Sequence, residues 1–172
     1  MINAERQVLF SPDLEEVDTG YTIQTDFNLD ETEWEVLQMH WHSPSEHTVD
    51  FNHYDAELHI VHHLKGEHSD GHGDIGALLV VGLFFEIEGS DAGYSDAFLE
   101  GWDFENMGQD EVTIPTDFFL NELPNKKFWH YEGSLTTPEC NEIVSWYVME
   151  HVNKIHEDQL NAMIAAFGRE NN

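Results

Sequence analysis

Apolar and polar positions alternate along much of this chain. Glu35 to His42 alternates as a β-strand does, so Val36, Gln38, His40 and His42 share one face and Leu37, Met39 and Trp41 the other. Ser43-Pro44-Ser45 ends that run. Tyr54 to His62 repeats the pattern, with Glu57, His59 and Val61 on one face and Leu58, Ile60 and His62 on the opposite one. Ala77 to Ile87 is apolar nearly throughout, which predicts a central strand buried on both faces. Shorter strands are predicted over Thr22 to Phe27, Lys126 to Tyr131 and Glu142 to Glu150, the last with Val144 and Trp146 on one face. Residues 1–20, polar with Pro12 and Gly20, read as a loop entering a strand. Gly133 to Pro138 is a further loop. Ser95 to Trp102 predicts a short helix. His156 to Phe167 has helical spacing at Leu160, Met163, Ile164 and Phe167, with a stop at Gly168. No internal repeat or low-complexity segment interrupts the pattern. The prediction is one β-dominated α+β domain over residues 1–172, built on a large sheet.

Composition changes this picture in one respect. Hydrophobic content of 40% with five Trp and eleven Phe is enough for a packed core. The charge is extreme: 35 Asp+Glu against 6 Lys+Arg, a formal net charge of −29, spread along the whole chain. Such self-repulsion destabilises a compact state at low salt, and the composition reads as adaptation to high ionic strength, with simple over-solubility as the alternative. Nucleic acid and anionic membranes are not expected as partners, since both need a basic surface. One cysteine, Cys140, allows no intrachain disulfide. No apolar run approaches a membrane span, and Met1-Ile2-Asn3-Ala4-Glu5-Arg6 has no signal-peptide core. Either the protein is not exported, or the exporting segment is not part of this chain.

Two of the alternating runs also carry candidate metal ligands. His40 and His42 sit on one strand face, about 7 Å apart at Cα by strand rise, so both imidazoles reach a single ion. A catalytic zinc takes three protein ligands and keeps one position for water. His59, on the other alternating run, is within cross-strand reach as the third. The second ring nitrogen of a metal-bound histidine is held by an acceptor. Gln38 lies one pleat before His40 and Glu57 one pleat before His59, each on its ligand's own face. That repeated pairing separates these three from the rest of the 12 histidines. His62, His63, His68 and His72 read as packing or solvated loop residues.

Four ordered blocks carry a resemblance. They are Gln38-Met39-His40-Trp41-His42, Ser45-Glu46-His47-Thr48-Val49-Asp50, Ala56-Glu57-Leu58-His59-Ile60-Val61-His62, and Tyr131-x-Gly133-Ser134-Leu135-Thr136-Thr137-Pro138-x-Cys140. Together the chain resembles the α-class carbonic anhydrases over most of its length. The resemblance implies a mixed, mostly antiparallel twisted central sheet with short peripheral helices. It implies a zinc lyase that interconverts carbon dioxide and bicarbonate, with His40, His42 and His59 as ligands and Gln38 and Glu57 as their outer acceptors. Zinc-bound hydroxide is then the nucleophile. Thr136 accepts its hydrogen bond and donates its own hydroxyl proton to Glu46. An ionised carboxylate only accepts, so it forces that direction. Thr137 matches a neighbouring site threonine. Val61, Val80, Leu135, Val144 and Trp146 match the apolar wall where carbon dioxide rests; without the resemblance they read as ordinary core.

The chain also departs from the family pattern. Asp18-Thr19-Gly20-Tyr21-Thr22-Ile23-Gln24 resembles the context of the family's proton-shuttle histidine, with Tyr21 in its place. A phenol with a pKa near 10 is a poor relay at neutral pH. His130 is an alternative relay. Relative to the family the chain reads as short at both ends, without a Gln-Ser-Pro-Ile segment before and an Asn-Arg-Pro-x-Gln segment after. Cys140 stands where exported members place a disulfide-bonded cysteine, so export is implied by resemblance and the thiol is expected to be free or the remnant of a truncated disulfide. The other readings are a non-catalytic binding domain of the same fold and an inactive truncated fragment; a zinc esterase is a side activity. Homo-oligomerisation is left open.

Overall fold

The run that carries His40 and His42 becomes strand β3 (Thr32–His42), and the run that carries His59 becomes β6 (Ala56–Leu64). They pair antiparallel, with His40 opposite His59 and His42 opposite Glu57. These observations come from a computed structural model, which describes residues 8–10, 22–25, 32–64, 78–87, 96–105 and 127–169. The other strands are β1 (Val8–Phe10), β2 (Thr22–Thr25), β4 (Thr48–Val49), β5 (Asn52–His53), β7 (Leu78–Ile87), β8 (Phe128–Gly133) and β9 (Val144–Ile155). Two helices are described, α1 (Asp96–Gly101) and α2 (Glu157–Arg169).

The main sheet runs β1-β3-β6-β7-β9-β8, and β2 also pairs with β3. Among the described residues every pairing in this sheet is antiparallel except β7 with β9, which is parallel. The mixed, mostly antiparallel sheet implied by the resemblance is therefore present. Parallel neighbours require a long crossover, and the chain between Ile87 and Val144 supplies one. β7 is buried on both faces along most of its length, as its unbroken apolar run predicts.

Three sequence expectations need correction. Residues 1–20 are not all loop: Val8-Leu9-Phe10 pairs antiparallel with β3, Leu9 opposite His40. Three residues are too few to show a period, so the partner strand decides the conformation. Strict alternation along β3 also fails. The register against β6 shifts between Val36 and Gln38, a bulge at Leu37. Val36 consequently packs with the Met39 and Trp41 side, while Leu37 packs against the smaller apolar cluster on the histidine side. Gly168 does not stop the last helix, which continues to Arg169.

The two faces of the sheet have different cores. On one, Met39, Trp41, Leu58, Ile60, Leu83 and Phe85 meet Phe98, Leu99 and Trp102 of the α1 region and Leu160, Met163, Ala166 and Phe167 of α2. Trp41 anchors it, its ring 4.7 Å from Phe85 and 5.6 Å from Trp102. Complete burial of one such aromatic is worth about 1.5–3 kcal/mol or more by area. The apolar positions of α2 recur at helical spacing, and the Gln159 side chain accepts from the His156 backbone N–H at 3.1 Å, half of a capping box. The opposite face carries a smaller cluster of Val61, Leu78, Val80, Ile143, Val144 and Trp146, with Leu37 and Leu135 against it. The three candidate ligands lie beside this smaller cluster, with the larger core beneath them as a rigid floor.

Candidate metal centre

The β3–β6 register brings the three histidines together. Their rings are 4.9 Å (His40–His42), 5.1 Å (His40–His59) and 4.5 Å (His42–His59) apart at the centroids. All three are buried. Each offers a nitrogen, and those nitrogens all lie within 4.8 Å of one another. His40 Nδ1 donates to Gln38 Oε1 at 2.7 Å, and His59 Nε2 donates to Glu57 Oε1 at 2.9 Å. Both acceptors are where the strand-face argument puts them.

Those two bonds fix the tautomers. With Nδ1 of His40 and Nε2 of His59 protonated, His40 Nε2 and His59 Nδ1 are bare lone pairs, and they face each other at 3.3 Å. His42 Nε2 is buried and has no hydrogen-bond partner. Protonation of His40 or His42 does not relieve this arrangement. Burial first, then the neighbouring His59 and His42, holds His40 far below the usual imidazole range. Burial and then His59 lower His42 to about 3. Buried lone pairs converging at this spacing fit a cation. A tetrahedral ion with bonds of about 2.0–2.1 Å to nitrogen holds its ligands about 3.3 Å apart.

Glu57 is the hub of the surrounding network. It is fully buried. Oε2 accepts from the backbone N–H of Glu46 and of His47, both at 2.9 Å, and Oε1 accepts from His47 Nδ1 at 2.6 Å as well as from His59. Burial alone raises a carboxyl pKa, but the hydrogen bonds from His47 and His59 outweigh it and keep Glu57 ionised. The loop delivering those amides is pinned. Ser45 N–H donates to the Tyr54 carbonyl at 3.0 Å, Tyr54 N–H to Ser45 Oγ at 2.9 Å, and Ser43 Oγ to the Asp55 carbonyl at 2.9 Å. Beyond His47 the chain of bonds ends at the Tyr131 hydroxyl, 2.6 Å from His47 Nε2. A second potential metal group of His47, Glu57 and His59 is this same hydrogen-bonded network.

The remaining expected site residues are distributed unevenly. Val61, Val80, Val144 and Trp146 form one buried cluster with Leu135 against it, and the Trp146 ring is 4.8 Å from His59. Thr136 is exposed on the loop between β8 and β9, where Thr137 is half-buried. Among the described residues the Glu46 carboxylate meets His42 and His59, at 3.5 and 3.8 Å, and the structure does not bring it into hydrogen-bond contact with Thr136. His130 stacks on Tyr147 and donates Nδ1–H to the Trp146 carbonyl, on the strand face opposite Tyr131, so it is turned away as a relay. Cys140 is a free, exposed thiol. His62 is a packing residue, buried with Nδ1 donating to the Leu79 carbonyl. Tyr21, His68 and His72 lie outside the described residues.

Sequence reasoning missed four residues here. His47 and Tyr131 complete the Glu57 network, and both stood inside the recognised blocks without a role. Leu37 joins the apolar cluster only because of the bulge. Gly82 faces Glu57 so closely that a Cβ would sit 2.9 Å from Oε1. An isolated glycine in an apolar strand is itself a signal of close approach.

Comparison with known proteins agrees with this geometry. The family model for eukaryotic-type carbonic anhydrase matches residues 2–172. Alpha carbonic anhydrase 4 of Arabidopsis thaliana is 35% identical over 144 residues, which cover 81% of this chain and 46% of that protein. A carbonic anhydrase of Klebsiella pneumoniae is 30% identical over 167 residues, covering 91% and 63%. The chain thus spans about half to two-thirds of the length of these relatives. Among solved structures, the α-carbonic anhydrase of Thermovibrio ammonificans in complex with sulfanilamide matches with a TM-score of 0.62 and 32% identity, over 81% of this chain and 57% of that one. A halotolerant carbonic anhydrase from Dunaliella salina matches with a TM-score of 0.64 and 26% identity, over 78% and 52%. A match running from residue 2 to the last residue, onto a sheet of the same architecture, makes this chain a member of the eukaryotic-type, or alpha, carbonic anhydrase family.

Proposed function

We propose that this chain, as one domain, binds zinc and catalyses the reversible hydration of carbon dioxide to bicarbonate and a proton. The observation that carries the reading is the pair of buried lone pairs on His40 and His59, facing each other at 3.3 Å beside the unpartnered Nε2 of His42. That donor set suits zinc, with imidazole nitrogens as ligands. Zinc supplies a Lewis acid that lowers the pKa of the water it binds to about 7.

The chain's own residues do the rest. Gln38 and Glu57 hold two of the rings in the ligating tautomer. Val61, Val80, Leu135, Val144 and Trp146 give an apolar wall beside His59, a surface suited to a small unhydrated substrate. Thr136, with Glu46 behind it and Thr137 beside it, orients the attacking oxygen; this assignment rests on the sequence motif and requires the exposed loop to close onto the carboxylate. With Tyr21 at the shuttle position, proton export is the slow step. Turnover at saturating carbon dioxide therefore rises with the concentration of small imidazole buffers.

The test is carbon dioxide hydration measured together with zinc stoichiometry, at low and high salt. One tightly bound zinc per chain, with binding and hydration both lost in His59→Ala, is the expected result. A folded sample without tight zinc overturns the reading. Activity independent of buffer concentration overturns the role given to Tyr21 alone.

A further inference from the structure

Each histidine of the centre has one nitrogen turned inward and one turned outward. Gln38 holds the outward nitrogen of His40, and Glu57 holds that of His59. The outward nitrogen of His42 is Nδ1, and a carboxylate stands beside it: Glu46 Oε1 lies 3.5 Å away, four residues along the chain.

We infer that Glu46 is the positioning residue of His42, doing for the third ligand what Gln38 and Glu57 do for the other two. This rests on the zinc reading above and adds a duty to the one the motif gives Glu46 toward Thr136. Three features of the fold support it. The backbone of Glu46 is fixed, because its N–H donates to the buried Glu57 at 2.9 Å and Ser45 before it is tied to Tyr54. The carboxylate is thus presented to His42 by a pinned loop and not by a side chain free to swing. The second oxygen, Oε2, lies 3.8 Å from His59 Nδ1, an inward nitrogen, so negative charge stands at the rim of the ligand cluster, where it favours a cation. A carboxylate also has about four acceptor sites, so a bond to His42 leaves capacity for Thr136.

The chemical consequence is specific. Nδ1–H of His42 donating to Glu46 leaves Nε2 as the bare ligating nitrogen and makes it more basic. The present contact is at ion-pair distance. An approach of less than an ångström converts it to a charge-assisted bond of about 2.7–2.9 Å.

Chelator competition on the full chain tests this by reading zinc affinity directly. Glu46→Ala is expected to weaken zinc binding by about 10–100-fold, the usual effect of losing an outer partner. Glu46→Gln, which keeps an acceptor and the side-chain shape, should restore the larger part of that loss. Glu46→Ala should also have its full effect in the Thr136→Ala background, measured against Thr136→Ala alone. Zinc affinity unchanged in Glu46→Ala overturns the inference, as does a loss in Glu46→Ala that disappears when Thr136 is already alanine. A parent chain that binds zinc but does not hydrate carbon dioxide overturns the proposed activity and leaves this measurement to decide separately.

Discussion

The Tyr131 hydroxyl and His47 Nε2 are 2.6 Å apart, joining residues 84 positions distant in sequence into the outer end of the metal centre. His47 Nδ1 donates to Glu57, so its Nε2 accepts and the phenol donates. Burial first, then the charges of Glu57 and Glu46, pushes the Tyr131 pKa up to about 12, which keeps the phenol protonated as a donor. Through Glu57 the chain of bonds reaches His59. Tyr131→Phe removes the last donor and leaves a half-buried nitrogen without its partner, at a cost of about 1 kcal/mol in stability. Zinc affinity should fall, by less than the about 10–100-fold that follows loss of a directly bonded acceptor. Urea unfolding and chelator competition measure the two effects. An unchanged zinc affinity would show that the relay ends at Glu57.

Gly82 makes a second case for space around that carboxylate. A Cβ there would meet Glu57 Oε1 at 2.9 Å, and Glu57 is held from four directions and cannot retreat easily. Gly82→Ala should therefore destabilise the fold by about 1–3 kcal/mol, as overpacking does. It should also weaken zinc binding, because the displaced oxygen is the one bonded to His59. Thermal unfolding with and without zinc separates the effects: a penalty of equal size in both states would mean that Glu57 has not moved.

Much of this centre was legible because a strand's period is short. Two-residue spacing alone placed Gln38 behind His40 and Glu57 behind His59, and both hydrogen bonds are present. What escaped depends on register and distance. The bulge at Leu37 moves Val36 to the opposite core and brings Leu37 into the apolar cluster, and nothing in the alternation marks it. β1 is legible only from its partner β3. The link from Tyr131 to His47 is a contact between different strands and loops, which periodicity does not encode. Glu46 was assigned by motif to Thr136, but its placement beside His42 follows from the pinned loop from Ser43 to His47.

His62 gives a pH dependence outside the metal ligands. It is buried against the Leu79 carbonyl, and burial lowers its pKa from 6.5 to about 4. A histidine held neutral in the fold is protonated first in the unfolded chain. Its contribution to stability is therefore complete above pH 6.5 and is lost as pH falls toward 4. At about 1.4 kcal/mol for each pH unit, the loss across that window is about 3 kcal/mol. Urea midpoints of the zinc-free protein between neutral and mildly acidic pH, compared with His62→Gln, isolate this residue, since the three ligand histidines are common to both. The variant should be less stable at neutral pH and show a flatter profile in acid. Parallel profiles would remove His62 as the cause.

The charge of the chain makes the last expectation. At −29, with 35 acidic residues against 6 basic ones, carboxylates far outnumber the lysines and arginines that could neutralise them. Repulsion between them is long-ranged at low salt, where the Debye length is about 30 Å at 0.01 M, comparable to the width of a domain. It shrinks to about 10 Å at 0.1 M and about 3 Å at 1 M, below the spacing of most surface charges. The compact state gains from this screening more than the unfolded chain, whose charges are farther apart. The thermal midpoint should therefore rise steeply with potassium chloride at low concentration and level off once neighbouring carboxylates are screened. A neutral osmolyte, which favours burial without screening, should give a shallow rise with no plateau. If salt and osmolyte gave the same shallow profile, charge repulsion would not be limiting stability, and the acidic surface would have to be explained by solubility alone.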